Sequence, residues 1–243
     1  MSDYRVIFYN HYLSKFKGMD SELSDDRLAS YFVWCEYKFL PLLEGLSFES
    51  KILELGCGPG YMLEFLARYN FKHVKGIDIS SEQVELANNR GCDTEVANVF
   101  EYLKGKNDTF DAIIALDFIE HFHKDELLKL ASLIFKSLKK GGRLILQTPN
   151  GEGLFPRQII YGDLTHFTIF TPTSIQQLLV ETGFNNFRFS ETGPTPKNKW
   201  GRLRLLLWQL IKFAANTIRK IETGKSQTIW TENMICYCEK SNL

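Results

Sequence analysis

Apolar residues in this chain fall into two alternating kinds of run. Short, nearly continuous runs at 51–55, 73–78, 110–116 and 143–148 have the length and density of buried strands. Between them, apolar positions recur every three or four residues, the spacing of one helix face. Leu63, Leu66 and Ala67 mark such a helix at about 62–69, and longer patterns span 82–90 and 124–138. Ser80 or Ser81 can cap the second of these by accepting free N–H groups of its first turn. Lys139-Lys140-Gly141-Gly142 supplies a helix stop after the third. A weaker strand is expected at about 93–97. Further on, Thr171-Pro172 opens a helix that Gly183 closes, and strands follow at 186–190 and 228–240. Upstream, Leu28, Phe32, Cys35, Phe39 and Leu42 predict a lead-in helix over 28–43. Such alternation predicts an α/β, doubly wound, mostly parallel sheet with helices on both faces. Any ligand should lie beyond the carboxyl ends of its strands.

Composition narrows the class. The 243 residues are 44% hydrophobic and 24% charged with zero net charge, ordinary for one globular domain with additions and without a field that would draw nucleic acid. The five cysteines form no C-x-x-C pair and no zinc spacing, so reduced thiols and a cytoplasmic location are expected. The first residues lack the apolar segment of a signal peptide, and no stretch of about 20 apolar residues suits a membrane span.

The chemistry concentrates at Glu54-Leu55-Gly56-Cys57-Gly58-Pro59-Gly60, a glycine turn between the first strand and its helix. Strand, glycine turn and helix together present backbone N–H groups to a ligand. The spacing G-x-G-x-G differs from the dinucleotide form G-x-G-x-x-G. The second strand ends at Gly76-Ile77-Asp78, an acid placed to accept hydrogen bonds from ribose hydroxyls.

These residues resemble the class I S-adenosylmethionine (SAM) dependent methyltransferases, and the resemblance runs from about 51 to 189. It implies a Rossmann-like methyltransferase fold of seven strands, SAM as cofactor and S-adenosylhomocysteine as product. It places Gly56, Gly58 and Gly60 at the methionine moiety and Asp78 at the ribose. Asn98 and Val99 meet the adenine, and Leu116 and Asp117 close the fourth strand over the cofactor. Glu54 and Ile79 complete this cofactor-binding set. Asn98 departs from the family pattern, which more often has Asp there. The aromatic stretch 1–20 is expected either to close over the cofactor or to form a loose arm.

Methyl transfer to a hydroxyl needs a base as the new bond forms. His121, after the fourth strand, and His166, in the loop after the fifth, compete for that role. His166 is favoured, with Asp163 three residues earlier to orient the ring or to bind substrate. Asp163 and His166 could also belong to a divalent metal site, but no second carboxylate cluster supports one and none is expected. The segment from Gly162 to Pro172 is similar to that of methyltransferases found with bacterial surface-polysaccharide synthesis, and more loosely to quinone O-methyltransferases. A glycan or lipid-linked saccharide acceptor is therefore expected, with a quinone precursor or a non-catalytic SAM-binding module as alternatives. Methyltransferases of nucleic-acid bases carry an Asn-Pro-Pro-Tyr-like motif where this chain has Asp117-Phe118-Ile119-Glu120, so nucleic acid is not an expected substrate.

One segment departs from the family pattern. The last two strands, usually joined by a short turn, are separated here by 191–227. No acid lies between Glu191 and Glu222, but seven bases do: Lys197, Lys199, Arg202, Arg204, Lys212, Arg219 and Lys220. On a helix over 200–221, Arg202, Gln209, Lys212, Asn216, Arg219 and Lys220 gather on one side. Leu203, Leu207, Leu210, Ile211, Ala214, Ile218 and Ile221 gather on the other, with Trp200 and Trp208 at the margins. That make-up suits a membrane interface, for instance the inner face of the cell membrane. Packing on its own domain, and after that on a second copy in a homodimer, are the alternatives for the apolar face. The chain thus divides into an arm and lead-in helix at 1–50 and a SAM-binding domain at 51–243 that carries 191–227 as a helical insertion.

Overall fold

The computed structural model describes Phe8 and residues 23–241. The aromatic stretch 1–20 therefore lies, Phe8 apart, outside the described residues. A seven-stranded sheet in the order β3-β2-β1-β4-β5-β7-β6 forms the centre. Its strands are β1 (Lys51–Leu55), β2 (His73–Asp78), β3 (Thr94–Val96), β4 (Phe110–Leu116), β5 (Leu138–Pro149), β6 (Phe184–Glu191) and β7 (Asn233–Lys240). The first five pair in parallel, and β7 is antiparallel to both β5 and β6. The helices are α1 (Asp25–Lys38), α2 (Tyr61–Arg68), α3 (Ser81–Asn89), α4 (Val99–Leu103), α5 (Lys124–Ser137), α6 (Arg157–Tyr161), α7 (Pro172–Val180) and α8 (Lys199–Thr223).

The inner strands are apolar on both faces because each face is covered. Ile52, Ala112, Ile114 and Ile145 join Phe32, Cys35, Phe65 and Leu66 of α1 and α2 in one core cluster. The alternate residues Leu53, Leu55, Ile113, Ala115, Leu144 and Leu146 join Leu127, Leu130, Ile134, Ile175 and Leu179 of α5 and α7 in another. This period of two is the pleat of the strand read through its side chains. Burying a Leu or Ile in either layer contributes about 1.5–3 kcal/mol.

Several expected boundaries shift. The lead-in helix ends at Lys38, and a 3-10 turn, Leu40–Leu43, takes over because Pro41 cannot donate to the α ladder. Ser80, not Ser81, caps α3, accepting from Gln83 N at 3.4 Å. β5 starts at Leu138, which pairs with Phe110 ahead of an irregularity, so the Lys-Lys-Gly-Gly stop lies inside the strand rather than after the helix. β7 starts at Asn233 and not at 228. Asn150 Nδ2 captures the carbonyls of Ile229 and Thr231 at 3.3 and 3.0 Å, which bends the chain away from the sheet.

Candidate active site

At the carboxyl ends of the strands lies a cleft of about 1060 Å³. Its near wall is the glycine turn. Gly56, Gly58 and Gly60 have φ of +67°, +52° and +81°, left-handed values that suit glycine. A Cβ on Gly56 would meet the Phe118 ring at 2.5 Å, so the turn and the segment after β4 touch there. A Cβ on Gly58 would meet only Gln83 Oε1, at 3.9 Å, and would stand in the cleft itself. Gly60 does not line the cleft. It caps α2, and a Cβ there would meet Ala87 Cβ and Cys92 Sγ, each at 3.0 Å, so its smallness serves packing against α3.

Asp78 closes the far end of β2. Its Oδ2 accepts from Gly58 N at 2.9 Å and its Oδ1 from Ser80 N at 2.8 Å, which ties the two turns together. Burial pushes its carboxyl above the usual range, against the pull of those N–H groups. Glu54 is 3% exposed, and its Oε2 has no hydrogen-bond partner among the described residues. Burial, then the charge of Asp78, raises its pKa well above the ordinary value. A buried acceptor without a donor is expensive, so a ligand cation beside it would be stabilising. Ile79, Asn98, Val99, Leu116 and Asp117 also line the cleft, where the sequence placed them. Asn98 spends its Oδ1 capping α4, accepting from Phe100 N at 2.9 Å. Asp117 holds φ at +48°, a left-handed value for a non-glycine residue, and accepts from Gln147 Nε2 at 3.1 Å. The open space at Gly58, the orphaned Glu54 oxygen and the Asp78 carboxylate together fit a zwitterion with a ribose diol.

The floor holds the polar groups that the acceptor would meet. His121, Asp163 and His166 all line the cleft, drawn from the connections after β4 and β5. His166 Nδ1 lies 2.9 Å from the Ile159 carbonyl, which can only accept. In the neutral ring Nδ1 therefore carries the proton and Nε2 the lone pair. Asp163 Oδ1 accepts from Thr165 N and Oγ1 at 2.8 and 2.6 Å, and that hydroxyl lies 2.9 Å from His121 Nδ1. Burial tends to raise the Asp163 pKa, but the Thr165 bonds and both histidines outweigh it and leave the carboxyl below its usual value. For His121, burial and then the nearby His166 lower the pKa to about 4, so the ring is neutral near pH 7.

The sequence did not single out Glu120 as a site residue. It is fully buried, Thr148 Oγ1 donates to its Oε2 at 3.0 Å, and Oε1 is left without a partner among the described residues. Burial first, and Asp117 second, hold its carboxyl well toward the protonated form. Glu120, His121 and His166 offer ligand atoms within 4.8 Å of one another, so Glu120 is a second carboxylate beside the histidines, in addition to Asp163. The His121 ring is already engaged by the backbone of Thr165 and Asp117. Tyr31 and Trp34 of α1 also reach the cleft, which a reading of that helix as a lead-in did not anticipate. Their positions fall one step off the buried stripe of Leu28, Phe32 and Cys35, and that offset was the available signal.

A family model described as a methyltransferase domain matches residues 31–188. The chain is 35% identical over 129 residues to the 27-O-demethylrifamycin SV methyltransferase of Amycolatopsis mediterranei, across 50% of this chain and 42% of that protein. It is 30% identical over 107 residues to the ubiquinone biosynthesis O-methyltransferase of Xylella fastidiosa, across 42% of each. These matches span less than half the length of the curated relatives. Among solved structures, a SAM-dependent methyltransferase from Archaeoglobus fulgidus superimposes with a TM-score of 0.66 at 19% identity, over 98% of this chain and 100% of that one. The Haemonchus contortus phosphoethanolamine N-methyltransferase 2 in complex with SAM gives 0.62 at 16% identity, over 97% of this chain and 60% of that one. The chain belongs to the methyltransferase-domain family, and its fold is that of the SAM-dependent methyltransferases.

Proposed function

We propose that the chain transfers a methyl group from SAM to a hydroxyl of a glycan or a lipid-linked saccharide, at the cytoplasmic side of a membrane. The observation that carries the hydroxyl reading is His166, fixed through Nδ1 so that a basic Nε2 is available in the cleft. The turn at Gly56 and Gly58 would hold the methionine end of the cofactor, Asp78 the ribose, and Asn98 and Val99 the adenine. When bound, SAM supplies an activated methyl on a sulfonium, so the protein's task is chiefly alignment. The acceptor oxygen gains the methyl as its proton passes to His166 Nε2, and S-adenosylhomocysteine is the product. Asp163, through Thr165, holds His121 beside that base. Phe118, Phe122 and Leu116 line the cleft with apolar surface that excludes water.

The test is transfer of labelled methyl from SAM to an extract of lipid-linked saccharides. Label that stays with the sugar after mild alkali marks an ether and supports the reading. Label recovered on an amine, or none in any saccharide fraction, overturns it. A second reading, methylation of a membrane-soluble quinone precursor, draws on the similarity to the ubiquinone biosynthesis O-methyltransferase. Label in the quinone fraction would support that instead. A non-catalytic SAM-binding module would yield no S-adenosylhomocysteine with either extract.

A further inference from the structure

Helix α8 faces the wrong way for a helix that packs only on its own domain. Its inward, half-buried side carries Lys212, Asn216 and Arg219 beside Leu205, Trp208 and Ala215. Trp208 Nε1 and Lys212 Nζ donate to Glu191 Oε2 at 3.0 and 2.7 Å. Asn216 exchanges hydrogen bonds with the backbone of Gln227, at 3.0 and 2.7 Å. Within the helix only Gly201 is buried. The apolar side points out: Leu206, Leu210, Phe213, Ile218 and Ile221 are 59%, 58%, 75%, 68% and 83% exposed. Monomeric proteins rarely leave so large a continuous apolar surface in water. Nothing among the described residues covers it.

Charge decides between the two remaining occupants. The exposed bases Lys199, Arg202 and Arg204 lie in the first two turns of α8 and Lys220 in the last, flanking the apolar side, and Glu222 is the single acid in the helix. Pairing α8 antiparallel with a second copy would set Arg202 and Arg204 near Lys220. Parallel pairing would set each base near its own image. Both arrangements bring like charges together in a desolvated seam, which is unfavourable. An anionic lipid surface meets the same pattern with opposite charge. No helix among the described residues is long and apolar enough to cross a membrane, so the contact is with the surface. Trp200, 74% exposed at the end of the apolar side, suits the headgroup boundary.

Topology puts this surface at the cleft end of the sheet. α8 leaves β6 after Glu191, which pairs with Met234 of β7, while Pro149 at the end of β5 pairs with Asn233. The connection between β5 and α7 is tied to the C-terminal side of α8 through Gln227 Nε2, 2.7 Å from the Glu152 carbonyl. That connection also exposes Phe155, Tyr161 and Leu164.

We propose that α8 lies flat in the interface of an anionic membrane, its Leu, Ile and Phe side at the acyl boundary and its terminal bases among the headgroups. The placement stands whether or not the acceptor is a glycan. The test uses the full chain with vesicles of phosphatidylcholine alone, or with added phosphatidylglycerol, read by co-sedimentation alongside SAM affinity and the sedimentation velocity of the free protein. The wild type should bind the anionic vesicles, and added salt should release part of it. Arg202→Gln with Arg204→Gln should weaken binding to anionic vesicles by roughly tenfold to thirtyfold, at about 1 kcal/mol per base. Leu207→Glu with Ile211→Glu should abolish vesicle binding while leaving SAM affinity and the melting temperature unchanged. Absence of vesicle binding at low salt overturns the proposal. So does a free protein that sediments as a dimer split by the Leu207/Ile211 change, or a melting temperature lowered by it, since either shows the apolar side already covered by protein.

Discussion

The rings of His121 and His166 meet edge to face, their centroids 4.8 Å apart and their planes at 62°. They come from connections after different strands and touch only because β4 and β5 are neighbours in the sheet. Burial first, and the neighbouring imidazole second, lower the His121 pKa to about 4, since two rings this close cannot both carry charge cheaply. Under the proposed function, the pair divides into a structural ring, His121, and a reactive one, His166.

If His166 is the base, His166→Ala should lower turnover by about 10²–10⁴-fold. Calorimetric affinity for SAM should stay close to that of the wild type, because no cofactor-binding wall uses that ring. The reverse outcome, with His121→Ala removing turnover and His166→Ala sparing it, would exchange the two roles.

Asp78→Ala should weaken SAM binding by about 1–3 kcal/mol, the loss expected when hydrogen bonds to a charged group go. The same change frees Gly58 N and Ser80 N, so Asp78→Asn is the sharper probe. Titration calorimetry with S-adenosylhomocysteine reads both, and a wild type that fails to bind either nucleoside would refute the site as a whole.

Gly56→Ala combines a left-handed φ with a 2.5 Å approach to Phe118 and should cost about 2–4 kcal/mol in urea denaturation. Gly91→Ala is the matched control: its φ is +81°, but nothing lies within 4 Å of the added carbon. It should cost only the backbone part, about 1–2 kcal/mol. Equal losses would mean that the contact with Phe118 is not the constraint.

His121 should also tie stability to pH. Its folded pKa of about 4 lies below the ordinary value of 6.5, so the unfolded chain takes up a proton first as pH falls. The stability that its neutral form contributes is whole above about pH 6.5 and is lost progressively down through pH 4, by up to on the order of 3 kcal/mol. Glu54 and Glu120, with raised pKa values, drift the opposite way, so the comparison must be with His121→Gln in the same buffers. The wild type should lose more than the variant between pH 7 and pH 4.5.

Chelation separates proton transfer from metal assistance at the cleft floor. With His121 engaged by backbone groups and Glu120 Oε2 by Thr148, turnover should survive dialysis against EDTA. Loss of activity that magnesium or manganese restores would instead assign Glu120, His121 and His166 to a cation.

The central strands were readable because burial on both faces leaves them apolar without interruption, as in Ile113-Ile114-Ala115. Elements at the margins were not, because tertiary contacts move their ends. The Asn150 amide draws Ile229 and Thr231 out of line, and nothing local to 228–232 announces it. The glycine turn and Asp78 were readable as a spacing. Glu120 was not: nothing in its local sequence marks it, and only the Thr148 contact and its complete burial reveal it. The amphipathic division of α8 was plain from its periodicity. Which side turns inward depended on Glu191, eight residues before the helix begins.

The β6–β7 hairpin is closed by the pairing of Glu191 with Met234, whatever chain runs between them. Loop-closure entropy grows only as the logarithm of length, so roughly forty intervening residues cost about 2 kcal/mol more than a four-residue turn. The hairpin is thus a slot in which length is nearly free. A chimera that swaps only 199–224 for a short linker, sparing the buried Ile229 and Thr231, should keep the sheet while losing the surface that α8 presents, so the inserted helix can be exchanged independently of the chemistry in the cleft.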